Sequence, residues 1–231
     1  ELISQQAATR DLVRGLAHEI KNPLGGLRGA AQLLAAELPE PELEEYTRII
    51  IEEADRLQVL VNRMLGPNRR PDYKAVNIHQ VLERVRSVTL ADWGEKLDIV
   101  RDYDPSIPEL VGDTDQLIQA VMNIVGNAAR ALKGQGSIRL RTRTARNFTI
   151  GSNRYRLVAQ IQIIDNGPGI PPEIADTLFL PMVTSGDGIG LGLSIAQTLI
   201  NKHKGLVECR SAPGQTVFTI LLPLPEQEPL R

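Results

Sequence analysis

The chain is poor in cysteine: Cys209 is the only one among 231 residues. A lone cysteine cannot form an internal disulfide bond, which excludes the disulfide-dense class of small secreted domains and is typical of a reducing compartment. The three histidines and the cysteine are scattered without the spacing of zinc ligands, so the sequence offers no metal cluster. We therefore expect a cytoplasmic protein in which Cys209 is a small residue of a late strand.

Long apolar runs and an excess of one charge are also missing. No stretch approaches the about 18–20 apolar residues that span a bilayer, and no secretory leader pattern opens the chain. The net charge of −2 gives no reason to expect nucleic acid as a partner. Because the chain begins at Glu1 and enters a helical pattern at once, we expect a piece of a longer protein whose sensor or membrane segment lies outside it.

The sequence pattern changes near residue 66. Residues 1–66 show no strand pattern, whereas residues 73–225 alternate helical and strand-like stretches. The polar segment 67–72, with two prolines, predicts a linker, and residues 226–231 predict a loose tail. We therefore predict an α+β chain of two domains.

The first domain reads as a helical hairpin, because apolar residues recur at steps of three and four along two segments separated by prolines. These seam residues are Val13, Leu16, Ile20, Pro23, Leu27, Ala30 and Leu34, then Leu43, Tyr46, Ile50, Leu57, Leu60 and Met64. A single hairpin has too small a core to be stable alone, so we predict a homodimer with a four-helix bundle. The pattern runs through Pro23, which predicts a kink just before it.

The second domain predicts a mixed sheet with helices on one face. Strand-like stretches cover residues 73–77, 97–101, 137–144, 155–164, 206–210 and 216–222. Helical patterns cover residues 78–90, 113–132 and 191–202. Because strands outnumber the helical crossovers and the last two strands are close in sequence, a doubly wound parallel sheet fits less well.

His18, Glu19 and Asn22 form the first candidate site. If the apolar seam is buried, His18 lies on the opposite face of its helix, and Asn22 lies one turn further along that face. A solvent-facing imidazole can attack phosphorus, a carboxylate can take its proton, and an amide can orient water. The alternative is an ordinary surface histidine, which the crowding of an acid, an amide and a proline into one turn disfavours.

Two glycine-rich segments are candidates for nucleotide binding. In residues 165–169, Asp165 follows an apolar strand, where a carboxylate can accept a hydrogen bond from a nucleobase amino group; a simple turn is the alternative. Residues 188–192 precede a helix, where backbone N–H groups can bind phosphate. The segment lacks the Gly-Lys-Ser/Thr of a P-loop, and it does not open a parallel sheet as a dinucleotide fingerprint does.

Asn123, Asn127 and Arg130 are the third candidate group. Their spacing of four and three places them on one face of a predicted helix that is otherwise apolar. Asparagine is a poor helix former, and glutamate would be the usual residue on a merely solvated face. An amide oxygen can ligate Mg²⁺, and a guanidinium can bind phosphate.

These segments, in this order, resemble the motifs of histidine kinases. Residues 18–23 look like the H box, 123–127 the N box, 165–169 the G1 box, 179–181 the F box and 188–192 the G2 box. The resemblance implies a dimerisation and phosphotransfer hairpin followed by an ATP-binding α/β sandwich of the GHKL (Bergerat) fold. It also implies a kinase that uses ATP and Mg²⁺ to phosphorylate its own histidine and then an aspartate of a response regulator.

Four further segments resemble the nitrogen-regulation branch of these kinases, namely residues 140–144, 155–157, 165–171 and 178–183. That branch is cytosolic and bifunctional, acting as kinase and as phosphatase. The resemblance implies an NtrC-like response regulator and a PII signal protein as partners.

Carried over by position, the resemblance gives each candidate residue a role. His18 would accept the phosphoryl group, Glu19 would orient and deprotonate it, and Asn22 would position water for dephosphorylation. Asn127 would ligate Mg²⁺, with Asn123 and Arg130 near the phosphates. Asp165 would read the adenine amino group. The pocket would be shaped by Gly167, Gly169, Gly188, Gly190, Gly192 and Leu193.

The chain departs from the family in one segment. Residues 182–187 are short and contain no Lys or Arg, whereas family members commonly carry such a cation in this lid. The loss predicts weaker contact with the γ-phosphate or slower autophosphorylation. Two alternatives therefore stay open, a phosphatase-dominant protein and a non-catalytic dimeric scaffold that binds nucleotide. A chaperone or mismatch-repair ATPase does not account for the hairpin with His18.

Overall fold

The computed structural model describes residues 2–38, 41–65, 71–94, 96–183 and 190–225, with the backbone alone for residues 2–19, 41–42, 56 and 58–65. The chain divides into two compact units, Glu1–Arg69 and Arg70–Arg231. The first unit contains α1 (Leu2–Glu37) and α2 (Pro41–Leu65). Pro41 is the first residue of α2, where its missing N–H costs nothing.

The two helices of the first unit contact each other, and the described side chains buried there are one leucine and three smaller residues. Leu24 and Ala31 of α1, and Thr47 and Ala54 of α2, are buried. Arg28 of α1 donates from Nε to Oδ1 of Asp55 of α2 at 2.7 Å. The predicted seam residues whose side chains the structure describes are a different set and are exposed: Leu27 is 58% exposed, and Ile20, Leu34, Leu43, Tyr46, Ile50 and Leu57 are exposed with it. The side chains of the seam residues Val13, Leu16, Leu60 and Met64 lie outside the described residues.

α1 is one helix that passes through Pro23. The kink expected before Pro23 stays a prediction. Among the residues that the structure describes, no helix is both long and apolar enough to cross a membrane.

The second unit contains a five-stranded mixed sheet. Its strands are β2 (Leu97–Asp102), β4 (Gly136–Ile150), β5 (Asn153–Asp165), β6 (Leu206–Ala212) and β7 (Gln215–Pro223), in the order β2-β4-β5-β7-β6. β2 pairs parallel with β4, and the other pairs are antiparallel. A separate antiparallel pair joins β1 (Lys74–Val76) to β3 (Leu110–Gly112). The prediction of a mixed sheet is confirmed.

The helices of this unit are α3 (Ile78–Trp93), α4 (Thr114–Ala131), α5 (Pro172–Ala175) and α6 (Gly192–Lys202). α4 packs against both α3 and α6.

The strand register explains the two faces of the sheet. Ile138, Leu140, Ile161, Ile163 and Ile220 share one face and are fully buried, whereas Arg139, Arg141, Arg143, Gln160 and Gln162 share the other and are more exposed.

The structure differs from the sequence expectations mainly in two very short elements, β3 and α5, and in the greater length of β4 and β5. β3 and α5 have three and four residues and were not predicted, because so few residues give no periodicity. β4 and β5 run beyond their expected ends and form a hairpin that extends past β2 and β7.

Candidate active site

The polar face of α4 is the first wall of the site. Nη2 of Arg130 donates a hydrogen bond to Oδ1 of Asn127. Nδ2 of Asn123 is buried and has no acceptor among the described residues. A buried amide donor without a partner costs about 1–3 kcal/mol, so a bound group that accepts from Asn123 would explain its presence there.

The N-terminus of α6 forms the second wall. α6 begins at Gly192, and a side chain at that position would start 3.7 Å from Oδ1 of Asn127 and 3.8 Å from Cβ of Asn123. Gly192 therefore lies within van der Waals reach of both asparagines, so the N-terminus of α6 is beside the polar face of α4. Helix N-termini of this kind attract anions through unpaired N–H groups and the helix dipole.

Gly190 shapes the chain just before α6. Its φ of 71° lies in the left-handed region, and a side chain there would come within 2.6 Å of the backbone N of Val183. Its carbonyl accepts a hydrogen bond from the N–H of Met182 at 3.0 Å. Leu193 is buried. Gly188 and residues 184–187 of the predicted lid at 182–187 lie outside the described residues.

Asp165 is the last residue of β5 and forms the third wall. It is 3% exposed, and its Oδ1 accepts a hydrogen bond from the N–H of Gly167 at 2.9 Å. Burial raises the pKa of the Asp165 carboxyl, and the bond from Gly167 lowers it in part. A side chain at Gly167 would start 3.6 Å from Cδ2 of Leu132, the C-cap of α4, so this loop lies at the same end of α4 as Arg130.

The row next to Asp165 contains residues that the sequence analysis did not single out. Thr216 of β7 lies opposite Asp165 and opposite Ser211 of β6. Two rows further along the sheet and on the same face, Phe218 lies between Ile163 and Cys209. No local motif marks Ser211 or Thr216, and only the strand register shows that they are neighbours of Asp165.

The far ends of α4 and α6 are joined by hydrogen bonds of His203. Nδ1 of His203 donates to the carbonyl of Leu199 at 2.8 Å, and Nε2 accepts from the N–H of Asp113 at 3.0 Å. Asp113 caps α4 by accepting from the N–H of Gln116 at 3.0 Å. Burial lowers the pKa of His203, which keeps the ring neutral and able to accept.

The Asp113 carboxyl also fixes the chain that enters this unit. Burial alone would raise the pKa of Asp113, but hydrogen bonds from the backbone of Gln116, Asp72 and Asp115 bring it below its ordinary value. The N–H of Asp72 donates to its Oδ2 at 2.8 Å. The N-terminal end of α4 is therefore bonded both to the C-terminal end of α6 and to the chain that enters this unit.

The predicted site residues fall into two groups. Asn123, Asn127 and Gly192 come together, with Asp165 and Gly167 at the adjacent loop. The H-box residues belong to the other unit: His18 and Glu19 lie in α1 with side chains outside the described residues, and the side chain of Asn22 is exposed.

The site suits a nucleotide better than a metal ion alone. The described residues hold no group of three or more His, Cys, Asp or Glu side chains that could bind a cation. Oδ1 of Asn127 could supply one oxygen ligand for Mg²⁺, and the remaining ligands would be phosphate oxygens and water, as is usual for this ion. Because Oδ1 now accepts from Arg130, a cation would displace that hydrogen bond.

Comparisons with known proteins extend over both units. The model "His Kinase A (phospho-acceptor) domain" matches residues 8–71, and "Histidine kinase-, DNA gyrase B-, and HSP90-like ATPase" matches residues 112–226. The Sensory histidine kinase/phosphatase NtrB of Vibrio alginolyticus is 55% identical over 96% of this chain, and that of Escherichia coli O157:H7 is 56% identical over 96%. The chain spans 64% of the length of each.

The chain is also similar to a solved structure, the crystal structure of full-length ShkA in complex with AMPPNP. The two share 26% sequence identity with a TM-score of 0.71, and the match covers 96% of this chain and 47% of ShkA.

Proposed function

The chain belongs to the sensor histidine kinase family, and from that premise we propose that it binds ATP in its second unit and transfers the γ-phosphoryl group to His18. The phosphohistidine then phosphorylates an aspartate of a response regulator of the NtrC type. The proposal concerns these two units, since the chain spans 64% of the relatives' length.

The observation that carries the proposal is the buried, unpartnered Nδ2 of Asn123 beside the N-terminus of α6. An amide donor, open helix N–H groups and the Arg130 guanidinium all favour an anion with several oxygens. Asp165, buried next to a glycine loop, favours a planar base that carries an amino group. A nucleoside triphosphate has both parts, and the two sets of groups lie along the same end of α4.

The chemistry at His18 needs a neutral imidazole with one nitrogen free to attack phosphorus. We assign Glu19 the role of holding the ring tautomer and accepting the proton from the other nitrogen. The step forms an N–P bond and breaks the bond between the γ-phosphorus and its bridging oxygen, and ADP leaves with that electron pair. Mg²⁺, when bound, supplies the charge neutralisation that such a transfer needs.

A second activity on the same partner, phosphatase action, is favoured by the relatives' name, "kinase/phosphatase". We assign Asn22 the role of orienting the water that hydrolyses the regulator's aspartyl phosphate. Its side chain is exposed on α1 and so is open to a docked protein. A PII signal protein would set the balance between the two activities.

A homodimer completes the proposal for the first unit. The large apolar seam residues whose side chains the structure describes, such as Leu27 and Ile50, are exposed in the single chain. Burying such a face against a second copy would give a four-helix bundle. Exposed apolar patches of this extent mark association surfaces.

The kinase proposal is tested by incubating the full chain with Mg²⁺ and γ-labelled ATP beside His18→Gln. We expect acid-labile, base-stable label on the parent chain and none on the variant, with ATP binding equal in both. Equal labelling of the two proteins would reject His18 as the acceptor. ATP binding without any label would favour the non-catalytic scaffold.

A further inference from the structure

The contact between α1 and α2 includes a charged residue at a position where an apolar one is usual. On α1, the buried residues Leu24 and Ala31 are seven residues apart, and Arg28 lies between them at steps of four and three. This is the spacing of residues that face a partner helix. Arg28 therefore lies on the side of α1 that faces α2, although arginine is seldom chosen for such a contact.

A carboxylate of the other helix binds the guanidinium of Arg28. Its Nε donates to Oδ1 of Asp55 at 2.7 Å, and the two side chains are 41% and 46% exposed. Because both groups remain partly in water, the pair contributes little to the stability of the hairpin. Its geometry is specific, however, since the bond forms only when the two residues lie at the same level and on facing sides of their helices.

The other side chains buried in this contact hold the helices in place less specifically. Apart from Leu24 they are small, so they present few atoms that interlock. A polar group within a helix contact can fix the register, because other arrangements leave it unpaired. A displacement of α2 by two turns would place Arg48 instead of Asp55 opposite Arg28, and the two like charges would repel each other.

We propose that Arg28 and Asp55 are positioning residues that set the rotation of α1 against α2 and thereby the direction of Asn22 in the phosphatase reaction. The proposal rests on the function proposed above and deepens it. Asn22 lies six residues before Arg28 on the same helix, about 9 Å along the axis, and its side chain is exposed. Neither member of the pair touches the reacting atoms, and both act through the rotation of α1.

The two proposed reactions place different demands on this rotation. Dephosphorylation needs a regulator docked on the hairpin and a water oriented by Asn22, so an error in the direction of that side chain lowers its rate directly. Autophosphorylation brings ATP to His18 from a separate compact unit, joined by the predicted linker at residues 67–72. A tethered unit can adjust to a small rotation of α1. Loss of the pair therefore reduces the phosphatase rate more than the kinase rate.

Arg28→Glu replaces the attraction by a repulsion. The kinase rate is the initial rate of His18 labelling in the full chain at saturating Mg-ATP. The phosphatase rate is measured with an excess of the phosphorylated receiver domain of an NtrC-type regulator and of a PII signal protein. We expect the phosphatase rate to fall about five- to twenty-fold, since a lost exposed ion pair and a new repulsion each change an equilibrium by up to about five-fold. The kinase rate should change much less, so the ratio of phosphatase to kinase falls.

A charge exchange tests the pair itself. Asp55→Arg alone should lower the ratio, and Arg28→Glu combined with Asp55→Arg should restore it. Arg28→Lys keeps the charge and should keep most of the parent ratio. The matched control is Arg48→Glu, the same change at an exposed position of α2 whose ion pairs, with Glu45 and Glu52, stay within one helix. It should leave the ratio unchanged.

The proposal is overturned if Arg28→Glu keeps the parent ratio, if both rates fall in proportion as they would in a partly unfolded chain, or if the charge exchange restores nothing. If circular dichroism shows that Arg28→Glu does not fold, Arg28→Gln is compared with Arg28→Lys, and equal ratios in these two variants reject the proposal. A parent chain with neither activity rejects the proposed function, and this proposal with it.

Discussion

Asp165 is a carboxylate that folding has removed from water although its proposed task is to stay charged. It lies at the end of β5, accepts a hydrogen bond from the N–H of Gly167 and is paired with Thr216 of β7. Because burial raises the pKa of Asp165, the group protonates at a higher pH than an exposed aspartate. Once protonated, it offers a donor where adenine needs an acceptor.

ATP affinity should therefore fall on acidification from pH 7, and the fall should begin above the ordinary aspartate range. Asp165→Asn removes the charged acceptor, so at pH 7 it should weaken binding about ten- to hundred-fold, the worth of a charge-assisted hydrogen bond. Calorimetry between pH 5 and 8 measures both effects. If the variant and the parent chain lose affinity in parallel as the pH falls, Asp165 is not the titrating group.

Cys209 is a second group whose pKa is raised by burial, and it has no role in the proposed function. Burial, together with the charge of Asp165, raises the pKa of the thiol to about 12. Iodoacetamide reacts with the thiolate, so at pH 8 the folded chain should be alkylated at least about a hundred-fold more slowly than the chain in 6 M guanidinium. Mass spectrometry against time measures this. Comparable rates in the two states would show that the native thiol is open and ionisable.

At the scale of elements, α4 could be predicted from the sequence because its signals are local. Asp113 is a capping residue, the apolar positions repeat with the helical period, and the Asn–Asn–Arg face interrupts them. The short β3 could not be predicted, since three residues carry no period. The seam on α1 and α2 was detected, but its packing was not, because periodicity alone does not say whether an apolar face meets its own chain or another.

The residues opposite Asp165 were missed for a non-local reason. Thr216 and Ser211 become neighbours of Asp165 only through the register of β5, β6 and β7, and a shift of one residue would turn them to the other face. The sequence contains no signal for that register beyond the alternation within each strand. The glycine loop, by contrast, was identified as a candidate from its own residues.

The hydrogen bond between the C-terminal end of α6 and the N-terminal end of α4 depends on the protonation state of His203. Its neutral Nε2 accepts from Asp113, and burial lowers its pKa. Because the unfolded chain binds a proton near pH 6.5 and the folded chain does so only at lower pH, stability is full above pH 6.5. It declines as the pH falls from there through the folded pKa.

Urea unfolding followed by the fluorescence of Trp93, the single tryptophan, reports on this unit. The free energy of unfolding should decrease between pH 7 and pH 5.5. His203→Gln keeps an acceptor but does not titrate, so the decrease should be smaller in that variant. Burial also lowers the pKa of His79, so this residue adds a slope of the same sign in both proteins. If the slope is unchanged in His203→Gln, groups other than His203 cause the whole pH dependence of the free energy of unfolding.

At the scale of the whole molecule, the two units differ in how far they bury their apolar side chains. The second unit encloses its own core, with α4 and the sheet contributing fully buried side chains such as Ile124 and Ile161. Among the described side chains, the first unit buries Leu24 and three smaller residues and leaves most of its other large apolar residues exposed, Tyr46 being 65% exposed. This exposed apolar surface is the basis of the proposed homodimer.

Ile50→Asp places a charge in the middle of the exposed seam of α2. Burial of an isoleucine contributes about 1.5–3 kcal/mol, and a two-fold axis repeats the loss, so the dimer should weaken by about 3–6 kcal/mol. Sedimentation equilibrium of the full chain should then show monomers at concentrations where the parent is dimeric. Gln32→Asp adds the same charge at an exposed position away from the seam and should leave the dimer intact. A dimer that survives Ile50→Asp but not Gln32→Asp would place the interface on the opposite side of the hairpin.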